Sequence, residues 1–201
     1  MARKIEIVLA TRNKKKKKEI AAILKNLPIK LIGLSDFPSF PEVREDAPTF
    51  RGNALKKARL AARFTGRLAL ADDSGLEVKA LKGRPGVLSA RYAGRQGNYR
   101  ANNRKLLRDL RGVPFSKRRA SFRCLAVLAD PKKVIKVVEG KCSGYILGQF
   151  RGKRGFGYDP LFYYPPYKKT FAELLPGKKN KVSHRFRAFK KMAGVIEKLI
   201  A

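Results

Sequence analysis

The sequence predicts an α/β fold with a mixed β-sheet flanked by helices, and three observations carry that expectation. Short apolar runs at Ile5 to Ala10, Ile29 to Leu34 and Leu68 to Ala71 are separated by segments whose apolar residues recur at helical spacing. Further on, Phe122 to Ala129, Val134 to Glu139 and Lys141 to Leu147 read as consecutive strands with no helix between them. Strands that are partly separated by helices and partly adjacent give α/β or α+β with a mixed sheet. A length of 201 residues with 44% hydrophobic content suits one domain over residues 1–201, or two small lobes sharing a core.

Each element has a local reason. The first run ends at Thr11-Arg12-Asn13, where Thr or Asn can cap a helix. That helix carries Ile20, Ile23, Leu24 and Leu27 on one face, and Pro28 stops it. Asp36 to Pro48 is a loop rich in proline and acid, with Glu42, Glu45 and Asp46. Thr49 or Asn53 opens a second helix, and Gly66 closes it. The strand from Leu68 is expected to break at Asp72-Asp73-Ser74-Gly75 and to resume at Leu76-Glu77-Val78. Gly83 to Gly97 reads as loop with a turn at Pro85-Gly86, and Asn98 to Leu110 as a helix. Pro131-Lys132-Lys133 makes a hairpin, Gly152 to Asp159 is a glycine-rich loop, and a last helix runs from about Ser183 to Leu199.

The charge narrows the partners. Forty-eight Lys and Arg against fifteen Asp and Glu give a formal +33, a field that attracts nucleotides, RNA and DNA alike. The basic residues are spread over every segment, which makes the charge a property of the whole surface and predicts non-specific polyanion binding. No run of eighteen apolar residues exists, which excludes a transmembrane helix. The apolar run near the amino terminus is short and contains Glu6, so it reads as a first strand and not as a signal peptide. Cys124 and Cys142 lack CxxC spacing and read as buried free thiols in a reducing cytoplasm.

Against that background the adjacent carboxylates Asp72 and Asp73 stand out. At the end of a buried strand they are costly unless a divalent metal, or a water awaiting deprotonation, uses their charge. The acidic loop strengthens that reading, because magnesium is typically held by one or two carboxylates plus substrate phosphates. Thr11-x-Asn13-x-x-Lys16 sits where strand meets helix. Backbone amides there can hold phosphate oxygens while Lys16 neutralises charge; it is not a Walker A loop. Gly155-Phe156-Gly157-Tyr158-Asp159-Pro160 offers an aromatic face, and Ser183-His184-Arg185 three donors in a row.

Taken in order, these segments are specific. Together with Thr49-Phe50-x-x-Asn53-Ala54-x-x-Lys57-Ala58, Pro85-Gly86-Val87-x-Ser89-Ala90-Arg91-Tyr92 and Lys179-x-x-Val182-Ser183-His184-Arg185, the chain resembles the Ham1-like inosine/xanthosine triphosphate pyrophosphatase family from about Ile5 to Leu199. The resemblance implies an elongated mixed sheet with two lobes around a nucleotide cleft. It also implies a homodimer, and Mg2+-dependent hydrolysis of ITP, dITP and XTP to the monophosphate and pyrophosphate. By position, Asp73 is the proton acceptor and a magnesium-site residue with Asp72 beside it, and Glu45 is the second metal ligand. Thr11, Asn13, Lys16 and Lys57 fall at phosphate-contacting positions. Ser74, Phe156, Gly157, Tyr158, Asp159, Lys179, His184 and Arg185 fall at positions that hold the base and nucleotide.

The residues suit that chemistry: a metal neutralises the phosphates, a carboxylate deprotonates water, and a donor facing a 6-keto purine rejects adenine. The chain departs from the family pattern at Arg12, Lys14, Lys15, Gly52 and Arg154, and a positive φ at Arg154 would strain its loop. The alternative reading is a basic polyanion-binding protein on the same scaffold. The retention of Asp72, Asp73, Glu45 and Asp159 speaks against it, since phosphate-backbone binding has no use for acids. A related group acting on modified pyrimidines lacks the Phe156 and His184 segments.

Overall fold

The structure, a computed structural model, describes residues 5–200. Seven strands form one sheet: β1 (Ile5–Leu9), β2 (Ile29–Gly33), β3 (Leu68–Val78), β4 (Arg119–Ala129), β5 (Val134–Ile146), β6 (Phe162–Tyr164) and β7 (Lys169–Thr170). Their order is β2-β1-β3-β4-β5-β6-β7. β1 pairs in parallel with β2 (Ile5 opposite Ile29) and with β3 (Ile7 opposite Leu68). β6 is antiparallel to both β5 and β7. The sheet is therefore mixed, as expected. Five helices accompany it: α1 (Lys14–Leu24), α2 (Phe50–Thr65), α3 (Tyr99–Asp109), the single turn α4 (Pro176–Lys179) and α5 (His184–Ile200). None is long and apolar enough to cross a membrane.

The chain divides into two compact units whose boundaries fall inside β3, β4 and β5. The first holds the chain up to Asp73, Cys124–Gly140 and everything from Arg185 on. Its core packs Ile7 and Leu9 of β1, Ile20 and Leu24 of α1, Leu70 of β3, and Phe189, Met192 and Ile196 of α5. The second holds Ser74–Arg123 and Lys141–His184. Its core is richer in aromatics, with Phe122, Phe162 and Phe171 in mutual ring contact around Leu76, Leu106 and Leu110.

The capping residues explain the helix starts. Asn13 caps α1 by accepting from the amides of Lys15 and Lys16, and Thr49 caps α2 by accepting from Gly52. Asn53 is thereby released from capping and turns into the buried face of α2 beside Lys57 one turn on. Gly66 ends α2 in the left-handed conformation, φ 66°.

Three expectations need correction. β3 runs unbroken through Asp72-Asp73-Ser74-Gly75, because a strand between two neighbours satisfies its backbone in the ladder while the aspartates find partners in tertiary contacts. β5 is likewise one thirteen-residue strand, with no break at Gly140. The stretch 83–97 is also not all loop, since Gly86–Arg91 forms a 3-10 helix.

Two glycine substitutions separate these backbone constraints. Gly66→Ala should lower unfolding free energy by about 1 kcal/mol, since alanine is disfavoured at that φ. Gly194→Ala, inside α5 with open space around a built Cβ, should raise it by about 0.5–1 kcal/mol. Urea denaturation midpoints measure both.

Candidate active site

Period-two alternation along β3 sends Asp72 and Asp73 to opposite faces, so the pair read from the sequence serves two separate networks. Asp72 is buried, 1% exposed. Its Oδ2 accepts a hydrogen bond from Lys16 Nζ at 3.1 Å and lies 3.6 Å from Arg185 Nη2 and 3.9 Å from Cys124 Sγ. Arg185 in turn donates through Nη1 to Glu19 of α1. Burial works against the charge of Arg185, but Glu19 and Asp72 outweigh it and hold the guanidinium firmly protonated. The same contest at Lys16 ends the same way. Burial lowers its pKa and the carboxylate of Asp72, helped by Asp73, raises it by more.

Asp73 faces α2 and the acidic loop. Asn53 Nδ2 donates to its Oδ2 at 3.1 Å, and Asn53 is itself fixed through Oδ1 by the amide of Ala47 at 2.9 Å. Lys57 Nζ lies 3.9 Å from Asp73 Oδ1 and donates to Glu45 Oε1 at 2.7 Å. Burial pushes the Asp73 carboxyl above the usual carboxylate range, and Glu45 adds to that. Lys57, Lys16 and Asn53 pull the other way without cancelling it. Two carboxylates, Glu45 and Asp73, thus converge on one ammonium group. The donor set is all oxygen, which suits a hard cation such as magnesium completed by substrate phosphates. Among the described residues no group of three or more acidic, histidine or cysteine side chains forms a complete metal cage. Of the other loop acids, Asp46 pairs with Lys56 and Glu42 is exposed.

The turn before α1 satisfies much of its own backbone. The amides of Thr11, Asn13, Lys15, Lys16 and Lys17 are all taken by neighbouring carbonyl or side-chain oxygens. These five amides are thus committed within the turn, and Lys16 reaches out of it through its side chain. Arg12, where the family pattern differs, donates to the carbonyl of Phe40 at 2.8 Å.

The second unit gathers the remaining predicted residues except Arg185. Asp159 Oδ2 accepts from Lys179 Nζ at 2.6 Å and from the amide of Phe156 at 2.8 Å. Lys179 also sits 4.9 Å from the centre of the Phe156 ring. Asn103 donates to the carbonyl of Gly157 at 2.8 Å, and Tyr158 Oη to that of Ser89 at 2.9 Å. Tyr158, Asp159 and Lys179 are buried while Phe156 keeps part of its ring exposed. Three residues thus hold the loop and one is presented by it. His184 is buried, its ring stacked on Phe122 at 4.7 Å. Ser74 lies half-buried in β3. The strain expected at Arg154 is absent: the left-handed positions are Gly152, Gly155 and Gly157. A Cβ on Gly155 would stand 2.0 Å from Asp159 Oδ2, so that glycine is required.

Sequence reasoning passed over three partners. Glu19 lies hidden at the end of the Lys14 to Lys18 run, Asn53 reads as a possible cap, and Cys124, the buried free thiol expected, gives no sign of its neighbour Asp72. The first two sit at helical spacing from Lys16 and Lys57, which is the signal that could have found them.

Comparison with known proteins gives the family. The profile of the Ham1 family matches residues 7–195. The chain is 54% identical to the dITP/XTP pyrophosphatase of Desulforamulus reducens over 97% of both chains. It is 55% identical to that of Geobacter sulfurreducens over 90% of this chain and 92% of the relative. Among solved structures, a HAM1 protein from Coxiella burnetii superposes with a TM-score of 0.88 at 42% identity, covering 96% of this chain and 99% of that one.

The two aspartates should behave oppositely in stability measurements. Asp72→Ala strands Lys16 and Arg185 without their shared counter-charge and should cost about 3–5 kcal/mol in urea denaturation. Asp73→Asn removes a charge that burial already disfavours and should cost far less. With its folded pKa raised, Asp73 holds its proton more tightly in the folded state. Its stabilising contribution is therefore complete below the ordinary aspartate pKa and is lost as pH rises through the folded value. Melts recorded in EDTA across acidic pH should show this decline in the wild type and a flatter profile in Asp73→Asn.

Proposed function

The chain belongs to the Ham1 family and its activity is that of a dITP/XTP pyrophosphatase; we propose that it works as a magnesium-dependent enzyme with Asp73 as the base. The observation that carries this is the setting of Asp73: a buried carboxyl with a raised pKa, oriented by Asn53 and flanked by Lys57 and Glu45. A carboxylate made more basic than usual is a better acceptor for the proton of an attacking water. Glu45 and Asp73 would hold Mg2+, which when bound supplies charge neutralisation on the phosphates.

The chain's own residues divide the remaining work. Water attacks the α-phosphorus as Asp73 takes its proton, the bond to the bridging oxygen breaks, and pyrophosphate leaves. Lys16 and Lys57 neutralise the departing anion, while Thr11 and the amide side chain of Asn13 add contacts to phosphate oxygens. Asp72 acts by position: it fixes Lys16 on one side and Arg185 on the other. Phe156 offers its ring to the purine, with Gly157, Tyr158, Asp159 and Lys179 holding the loop that presents it. Ser74 and His184 are assigned to nucleoside contacts, His184 to the 6-oxo group. Arg185, committed to Glu19 and Asp72, supports them through its neighbours. A homodimer is proposed with this reading, forming against the self-repulsion of +33 on each copy.

Pyrophosphate release from dITP, ITP, XTP, ATP and GTP, each with magnesium, tests the proposal. Turnover should favour the 6-oxopurines inosine and xanthosine over adenine and stop in EDTA. Asp73→Asn should lower kcat by at least about a hundredfold while nucleotide binding, measured by calorimetry, persists. Full activity of Asp73→Asn would remove Asp73 from the role of base.

A further inference from the structure

The second unit carries a sheet face to which the proposed mechanism assigns no role. In β4, Ala120 and Phe122 are buried while Arg119, Ser121 and Arg123 alternate with them toward the outside. In β5, Cys142, Gly144 and Ile146 are buried while Lys141, Ser143 and Tyr145 face out. The two strands are neighbours, and the hydroxyls of Ser121 and Ser143 lie 3.2 Å apart, which fixes the register. Arg119 and Arg123 therefore flank one serine, and Lys141 and Tyr145 the other. Tyr145 pairs across the ladder with Tyr163 of β6. The ring of Phe115, 49% exposed, lies 5.1 Å from that of Tyr145 and 6.1 Å from that of Tyr163. A groove of about 540 Å³, lined among others by Arg119, Lys141 and Tyr145, opens on this face.

We propose that this face binds single-stranded nucleic acid, with phosphates on Arg119 and Lys141 and an unstacked base against Tyr145 and Phe115. The charges alone would suit any polyanion. The aromatic rings add a requirement that polyphosphate and a closed duplex cannot meet, because only an unpaired base offers a face to stack. Arg123 is held by Glu77 at 2.9 Å, whereas Arg119 and Lys141 have no ion-pair partner among the described residues. A second copy of the chain is a poor occupant, since a self-complementary contact would press these cations against their own equivalents.

Fluorescence anisotropy with a labelled oligothymidylate, competed by inorganic polyphosphate of matched charge, tests the assignment. Tyr145→Ala should weaken oligothymidylate binding by about tenfold and leave polyphosphate affinity unchanged. Arg119→Ala and Lys141→Ala should each lower the slope of log affinity against log salt by about one. Lys25→Ala and Lys198→Ala, exposed in the first unit, should do neither. Pyrophosphate release from dITP should be normal in every variant, which also certifies that each is folded. The proposal is overturned if Tyr145→Ala binds oligothymidylate like the wild type, or if the control lysines matter as much as Lys141. It is equally overturned if light scattering shows a dimer that Tyr145→Ala dissolves and that excludes the oligonucleotide.

Discussion

A charged carboxylate in the middle of a buried strand is the constraint on which the first unit depends. Asp72 has almost no contact with solvent, so its charge must be met inside the protein. Two cations meet it, Lys16 from α1 and Arg185 from α5, and Arg185 brings a second acid, Glu19, to balance the excess. The result ties three elements far apart in sequence to one oxygen atom. Such a network is a weak source of net stability, because desolvation offsets most of the attraction. Its value is positional: Lys16 cannot wander, and the start of α1 is held against β3.

The same strand places the proposed base, Asp73, one residue later. Because successive side chains alternate, fixing Asp72 on one face fixes Asp73 on the other, where Asn53 and Lys57 wait one helical turn apart on α2. The small residues Ala54, Ala58, Ala61 and Ala62, all buried, let α2 lie close enough to deliver them. Burial does the rest by making Asp73 more basic.

Scarcity of acid gives the remaining carboxylates meaning. Asp159 locks Lys179 and the Phe156 amide, Glu77 meets Arg123, Glu173 meets Arg151 and Asp109 meets Tyr92. The exposed pairs contribute little energy each. Asp159 differs: it is buried, and it converts a glycine-rich loop into a fixed support for one aromatic ring. The excess of Lys and Arg elsewhere leaves a surface that repels its own kind and attracts phosphates, and on the β4–β5 face that charge meets the rings of Phe115 and Tyr145.

The sequence by itself determined the α/β class, the mixed sheet and most helix boundaries. These rest on local physics: apolar period, caps such as Thr49, and breakers such as Pro28 and Gly66. It could not say that Asp72 and Asp73 serve different networks, because a carboxylate pair in a turn and one in a strand read alike until neighbouring strands satisfy the backbone. Nor could it separate Glu45, which reaches Lys57, from Glu42, which is exposed, or recognise Glu19 behind five lysines. Partner choice among distant charges depends on which faces the fold brings together, and no local pattern encodes it. Tertiary structure alone decided that Asp159 supports while Phe156 is presented, since burial belongs to the packed loop and not to either residue.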